Sequence, residues 1–253
     1  MLTTRSSNDE ISDVIVVGCG RSGTSMVAGL LASAGYFMGP NLHPPREANP
    51  TGFFEGEVVK DVNEALLDPL VGPDGRTQLG SRWLETIPQS VSVPKAEGAN
   101  ARTIRRLVAH RPFAFKDPRF CYTLSAWRPF LPSGTAFVCV FREPGRTVTS
   151  LLRERNEAPW LRDVHLDAVG AEGLWNTMYR RVLDEHLLVG RWLFLHYDQV
   201  LAGPGVSRLS RHVGTRLSSL ILRADLKRST DRQTHESLRV TYAELCALAE
   251  HRT

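Results

Sequence analysis

The sequence is poor in cysteine and contains no long apolar run, and each scarcity argues against a class of protein. Its four cysteines are scattered along 253 residues, and no pair has the spacing of a zinc site or a redox motif. No apolar stretch approaches the roughly 18 residues that cross a bilayer. The polar N-terminus lacks the apolar segment of a signal peptide. We therefore expect a cytoplasmic protein without a membrane partner.

Lysine is also scarce, since only four of the 31 basic residues are lysines and the rest are arginines. Such a bias often reflects the base composition of a genome, so the net charge of +4 does not by itself indicate a nucleic-acid partner. None of the eight histidines has a metal-ligand spacing such as His-x-x-x-His. We therefore expect neither a nucleic-acid partner nor a metal, and the scarcity draws attention to each lysine.

Apolar strands alternate with helical segments along residues 13–253, which predicts a single α/β domain around a parallel sheet. Residues 1–12 are expected to form a flexible tail. The predicted strands cover residues 13–17, 113–116, 136–141 and 192–196. The predicted helices cover residues 22–34, 57–67, 101–109, 121–130, 144–155, 168–189 and 241–251. Loops at about 35–54 and 68–98, the second with a short helix around Trp83, are expected on the substrate side.

The segment GCGRSGTS, residues 18–25, directly follows the first predicted strand. It has the spacing of a phosphate-binding loop, but Thr24 stands where the lysine of a nucleoside triphosphatase is expected. Glycines and the N–H groups of a helix start suit an anion, and Arg21 adds a fixed positive charge. The loop therefore predicts an anion site made by Gly20, Arg21, Ser22, Gly23, Thr24 and Ser25. The missing lysine disfavours a γ-phosphate and suits a less charged sulfuryl group.

A second basic motif, FREPGRTVTS, follows the strand predicted at 136–141. Arg142 follows that strand, and Ser150 lies eight residues later on the helix that Pro144 opens. With this pair, the sequence resembles the sulfotransferases that use 3′-phosphoadenosine 5′-phosphosulfate (PAPS). The resemblance implies a P-loop-like sulfotransferase fold, with the Arg21 loop on the 5′-phosphosulfate and with Arg142 and Ser150 on the 3′-phosphate.

Two further stretches carry the same resemblance. LFLHYDQVL implies that Tyr197 lies near the adenine, and FKDP implies that Lys116 contacts the leaving phosphosulfate oxygen, with Arg119 as a possible aid. Arg21 is the other catalytic cation that the resemblance implies. A basic loop that closes over the 3′-phosphate in the family has a partial match in Lys227 and Arg228. The match departs from the glycine-containing form of that loop, and a solvated surface is the alternative interpretation.

The general base is less clearly indicated. Small-molecule members of the family use a histidine two residues after the strand lysine, but that position is Pro118 here. Relatives with an arginine-type loop use a glutamate shortly after the first helix, which corresponds to Glu55 in NPTGFFEG. Glu47 and Asp117 stay open as alternatives, and Glu55 is also interpretable as the polar start of the next helix.

The sequence thus predicts an enzyme that transfers a sulfuryl group from PAPS to a hydroxyl of a small-molecule acceptor. A glycosylated natural product is suggested by family analogy alone. A P-loop kinase or nucleotide hydrolase and a non-catalytic nucleotide-binding protein are the alternatives. The sequence indicates neither the acceptor nor the oligomeric state.

Overall fold

The structure is a computed structural model that describes residues 11–46, 49–71, 77, 80–223 and 230–252. Its strands are β1 (Val14–Val17), β2 (Ala114–Lys116), β3 (Ala136–Phe141) and β4 (Arg191–His196). They form one parallel sheet in the order β2-β1-β3-β4. The chain passes from β1 to β2 on one side and from β3 to β4 on the other. The carboxyl ends of β1 and β3 therefore frame the switch point at which such sheets bind ligands.

Helices cover the sheet, and the described part of the chain contains nine α-helices. They are α1 (Thr24–Ser33), α2 (Glu57–Leu67), α3 (Gly98–Val108), α4 (Phe120–Trp127), α5 (Pro144–Glu157), α6 (Ala168–Arg181), α7 (Tyr197–Leu201), α8 (Pro204–Val213) and α9 (Glu236–Leu248). The expected α/β fold with a parallel sheet flanked by helices is confirmed.

The side chains of β1 alternate between two apolar cores, as the period of a strand requires. Ile15 and Val17 pack into the core that contains residues of α2, α3, α4 and α6. Val14 and Val16 point to the opposite face and pack with α1 and α8. All four residues are fully buried. Because both faces of β1 are covered, its sequence is a continuous apolar run rather than an alternating one.

Several expected elements have different boundaries in the structure, and three helices illustrate the differences. The first helix begins at Thr24 rather than at residue 22, because Arg21 and Gly23 have φ angles of 68° and 94° that no right-handed helix accommodates. The helix expected at 168–189 ends as α6 at Arg181 and continues as a π-helical turn. The last helix begins at Glu236, five residues before the expected start, where the His235 side chain accepts a hydrogen bond from the Ser237 N–H.

Residues 1–10 of the expected tail lie outside the described residues, whereas the Ser12 N–H donates to the Val213 carbonyl over 3.0 Å. The expected insertion at 68–98 contains a short 3-10 helix at Arg82–Leu84, and its residues 72–76, 78 and 79 are not described. Within the described residues, no helix has both the length and the apolar composition that a membrane span needs.

Candidate active site

A cavity of about 1090 Å³ lies where the carboxyl ends of the four strands meet. Every strand contributes a lining residue at its end or shortly after it: Arg21 after β1, Lys116 on β2, Arg142 after β3 and Tyr197 after β4. Residues of α1, of the 35–54 loop, of the 68–98 insertion and of α5 complete the wall. The structure therefore brings the residues of all four sequence motifs to one cavity.

The glycines of the loop make room for aromatic rings. A Cβ atom at Gly20 would lie 2.5 Å from Cζ3 of Trp83, and one at Gly23 would lie 2.5 Å from Cδ2 of Tyr197. Real Cβ atoms do not approach other atoms this closely, so no side chain is accommodated at either position. An indole and a phenol ring therefore fill the space beside these two glycines.

Arg21 connects the loop to α5. Its Nε donates a hydrogen bond of 3.1 Å to Ser150 Oγ and lies 3.2 Å from a carboxylate oxygen of Glu154. Glu154 is only 6% exposed, and burial raises the pKa of its carboxyl despite the nearby Arg21 charge. The arginine of one expected phosphate motif thus contacts the serine of the other, next to a buried carboxylate.

The three loop hydroxyls have different environments. Thr24 and Ser25 line the cavity, and Ser25 Oγ accepts a hydrogen bond of 3.2 Å from Lys116 Nζ. Ser22 is fully buried outside the cavity lining, and its N–H donates to the Cys19 carbonyl over 3.2 Å. The Ser22 side chain thus points into the protein, whereas those of the other two predicted hydroxyl donors, Thr24 and Ser25, line the cavity.

Arg142 is 5% exposed and stacks on an aromatic ring at the cavity wall. Its Cζ lies 4.3 Å from the ring centroid of Tyr197, the first residue of α7. Burial lowers the pKa of Arg142; among the nearby charges, Tyr197 and Asp198 raise it, and Arg146 and Arg21 lower it. The guanidinium is therefore a buried cation with charges of both signs near it.

Lys116 and Glu55 form an ion pair at the floor of the cavity. Lys116 is 1% exposed, and its ammonium donates to the Glu55 carboxylate as well as to Ser25. Glu55 follows Phe54, whose φ of 54° is rare for an aromatic residue and stores backbone strain. The Phe54 ring lies so close to α1 that a Cβ at Gly29 would be 3.0 Å from it. The strained turn and this packing direct Glu55 to the lysine.

Asp117, an alternative base, is held away from the cavity. It is 1% exposed, does not line the cavity, and accepts hydrogen bonds of 3.1 Å from the guanidinium of Arg119. Nε of Arg119 donates to Glu64 over 2.5 Å. Burial lowers the pKa of Arg119, but the carboxylates of Asp117 and Glu64 outweigh it, and the net shift is upward. Arg119 lines the cavity, yet its charge is already paired with two carboxylates.

Three further predicted residues lie outside the described residues: Glu47, Lys227 and Arg228. Conversely, no sequence motif marked Glu154, which a helical period identifies one turn after Ser150 on the same face of α5. Arg46 and Trp160 also line the cavity without a motif to mark them. Within the described residues, no group of three or more His, Cys, Asp or Glu side chains is placed to hold a metal ion.

A sequence model described as the sulfotransferase family matches residues 13–218. The chain belongs to the sulfotransferase family. No curated protein matches the sequence significantly. The sulfotransferase domain from the curacin biosynthetic pathway has a TM-score of 0.50 at 11% identity, over 96% of this chain and 99% of that one. Sulfotransferase STF9 from Mycobacterium avium has a TM-score of 0.50 at 15% identity, over 96% of this chain and 78% of that one.

At these identities the likeness to solved structures shows the sulfotransferase fold, and the family match indicates sulfuryl transfer as the general activity. The resemblance recognised in the sequence is thereby confirmed at the level of family and fold. The alternative of a P-loop kinase or nucleotide hydrolase is not favoured.

Proposed function

We propose that this sulfotransferase transfers a sulfuryl group from PAPS to a hydroxyl of a small-molecule acceptor. One observation carries the proposal: the cationic groups expected for the two charged ends of the donor and a lysine–glutamate pair line the same cavity. Arg21 and the loop N–H groups would hold the 5′-phosphosulfate, and Arg142 and Ser150 the 3′-phosphate.

The residues present fit such a donor. Arg142 is a buried guanidinium whose charged neighbours include Asp198 and two other arginines, and a bound phosphate would give it a further anionic partner. Arg21 and Ser150 are hydrogen-bonded, so the residues proposed for the 5′-phosphosulfate adjoin those proposed for the 3′-phosphate, as a ligand that carries both groups requires. Tyr197 forms the wall between Gly23 and Arg142, where it would lie against the adenine.

The chemistry assigned to the protein is proton removal and charge stabilisation. When bound, PAPS supplies an activated sulfuryl group on a phosphate leaving group. Glu55 would receive the proton of the acceptor hydroxyl at its carboxylate, and Lys116 would donate a hydrogen bond to the phosphate oxygen that gains charge. Because Lys116 and Glu55 are paired in this structure, the lysine has to exchange the carboxylate for the ligand before Glu55 acts as a base.

Calorimetric titration with 3′-phosphoadenosine 5′-phosphate, the product form of the donor, tests the proposal. We expect tight binding in the presence of a chelator, with ATP binding more weakly. A preference for ATP, or loss of bisphosphate binding on chelation, would refute PAPS as the donor. Incubation with sulfur-35-labelled PAPS and cell extract, with a Lys116→Met variant as control, then identifies the labelled acceptor. The suggestion of a glycosylated natural product stays a prediction until that experiment.

A further inference from the structure

Arg46 lies in the wall of the cavity. Its guanidinium carbon is 3.9 Å from the ring centroid of Trp160, which is 47% exposed and follows α5. Both residues line the cavity. A guanidinium that stacks on an indole is held in place, while its N–H groups remain available for a ligand. The pair thus joins the 35–54 loop to the end of α5 and presents a fixed cation.

The backbone around Arg46 is fixed as well. The N–H of Asn49 donates to the Arg46 carbonyl over 2.8 Å, and the N–H of Arg46 donates to the Asn49 carbonyl over 3.4 Å. Asn49 Nδ2 in turn donates to the Gly52 carbonyl over 2.7 Å. A preorganised cation of this kind binds an anion without the entropy loss of ordering a mobile side chain.

Several other cations of the cavity form ion pairs with carboxylates of the protein, whereas Arg46 forms no ion pair with a carboxylate of a described residue. Lys116 pairs with Glu55, Arg21 with Glu154, and Arg119 with Asp117 and Glu64. No carboxylate of a described residue forms an ion pair with Arg46. Among the described residues, eight lysine and arginine side chains but only three carboxylates line the cavity.

Arg46 is electrostatically part of the reaction cavity rather than of the outer surface. Its charge acts on Glu154, the partner of Arg21, and counteracts in part the rise in the pKa of Glu154 that burial and the charge of Glu55 cause. The loop segment that separates Arg46 from Glu55 in the sequence also lines the cavity, with Thr51, Phe53 and Phe54. One ligand that reaches from Glu55 to Arg46 would therefore cross a partly apolar wall.

We infer that the acceptor is a hydroxy compound with a carboxylate, which Arg46 binds while Trp160 holds the guanidinium in place. This inference rests on the proposed function and adds the chemical class of the acceptor. A carboxylate matches the guanidinium fork in two hydrogen bonds, which a neutral group cannot reproduce. The binding of the carboxylate would orient the acceptor so that its hydroxyl points to Glu55.

Binding to the protein saturated with 3′-phosphoadenosine 5′-phosphate tests the inference with three matched pairs of ligands. The probes are para-hydroxybenzoate, para-hydroxyphenylacetate and para-hydroxyphenylpropionate, each compared with its neutral amide by ligand-observed NMR. For at least one pair we expect the acid to bind at least tenfold more tightly than the amide, and Arg46→Ala to remove that preference. Arg46→Ala should leave the affinity for the bisphosphate unchanged. Arg102→Ala, at an exposed arginine of α3, is the control and should change neither the preference for the acid nor the affinity for the bisphosphate.

Each other outcome is decisive. No binding of any acid, no preference for the acids, or a preference that survives Arg46→Ala overturns the inference. An equal loss of bisphosphate affinity in Arg46→Ala also overturns it and assigns Arg46 to the donor. Failure of the unmodified protein to bind the bisphosphate would instead refute the proposed function, so the two failures are distinguishable.

Discussion

Arg21 Nε donates a hydrogen bond of 3.1 Å to Ser150 Oγ, although the two residues are 129 positions apart in the sequence. Each belongs to a different anion motif, one after β1 and one on α5. Their contact makes the two motifs one polar surface, with Glu154 as a third member. A substitution in either motif is therefore expected to affect the other. The changes in donor-binding free energy of two single variants, one in each motif, should not sum to that of the double variant.

Arg142 should distinguish the 3′-phosphate. Charged hydrogen bonds contribute roughly 1.5 to 3 kcal/mol each, so Arg142→Ala should weaken binding of 3′-phosphoadenosine 5′-phosphate about tenfold or more. The affinity for ADP, which lacks the 3′-phosphate, should change little. Titration calorimetry with both ligands measures this difference, and equal losses for the two ligands would contradict the assignment.

Glu55→Gln should separate proton removal from donor binding. The amide keeps the size of the carboxylate and still accepts a hydrogen bond from Lys116, but it cannot take a proton from the acceptor. We expect normal folding, unchanged affinity for the bisphosphate and a turnover lower by about 10² to 10⁴, the usual contribution of general-base catalysis. If the variant keeps more than about a tenth of its activity, Glu47 becomes the leading candidate, because Asp117 is held by Arg119.

Lys116→Met should lose turnover for a different reason. Methionine fills the volume of the buried side chain but supplies no charge to the leaving oxygen. We expect turnover to fall and bisphosphate affinity to fall with it, unlike in Glu55→Gln. Rapid-quench measurement of a single turnover, together with calorimetry, reports both quantities. Turnover that survives the change would remove Lys116 from the chemistry.

Donor binding should take up a proton at Glu154. Burial raises the pKa of this carboxyl above its ordinary value, and a bound bisphosphate would raise it further by adding negative charge and by competing for Arg21. A group whose pKa rises on binding gains a proton, so affinity should fall as pH increases between the pKa of the free and of the bound state. Calorimetry in two buffers of different ionisation enthalpy measures the uptake.

Glu154→Gln is the control for that titration, since the phosphates of the ligand also exchange protons. The glutamine variant keeps a side-chain oxygen for Arg21 but has no titrating group. Its proton uptake should be smaller than that of the unmodified protein at the same pH. Identical uptake in the two proteins would show that Glu154 stays ionised or protonated throughout and is not linked to binding.

Gly23→Ala tests the packing of the loop against Tyr197. The new methyl group would overlap the Tyr197 ring and would hold alanine at a φ of 94°, where backbone strain costs about 1 to 3 kcal/mol. We expect lower thermal stability and weaker bisphosphate binding. Gly173→Ala is the matched control, because nothing lies within 4 Å of its Cβ position in α6, and a helical alanine should stabilise by about 0.5 to 1 kcal/mol.

Much of the fold is predictable from the sequence because its signals are local. The apolar run of β1 and the proline at the start of α5 define their elements without help from the rest of the chain. The anion loop is recognisable for the same reason, since glycines, hydroxyls and Arg21 are contiguous. Helix boundaries were less accurate where tertiary contacts or loop strain decide them, as at Thr24 and at the end of α6.

By itself the sequence determined the α/β class, the family resemblance and the residue types available for anion binding and proton transfer. Only the tertiary structure decided which of them meet: Lys116 with Glu55, Arg21 with Glu154, and Arg46 with Trp160. It also turned Ser22 inward and held Asp117 on Arg119. The physical reason is that an ion pair or a stacking contact depends on distances of a few ångströms between segments far apart in the chain, and no local propensity encodes those distances.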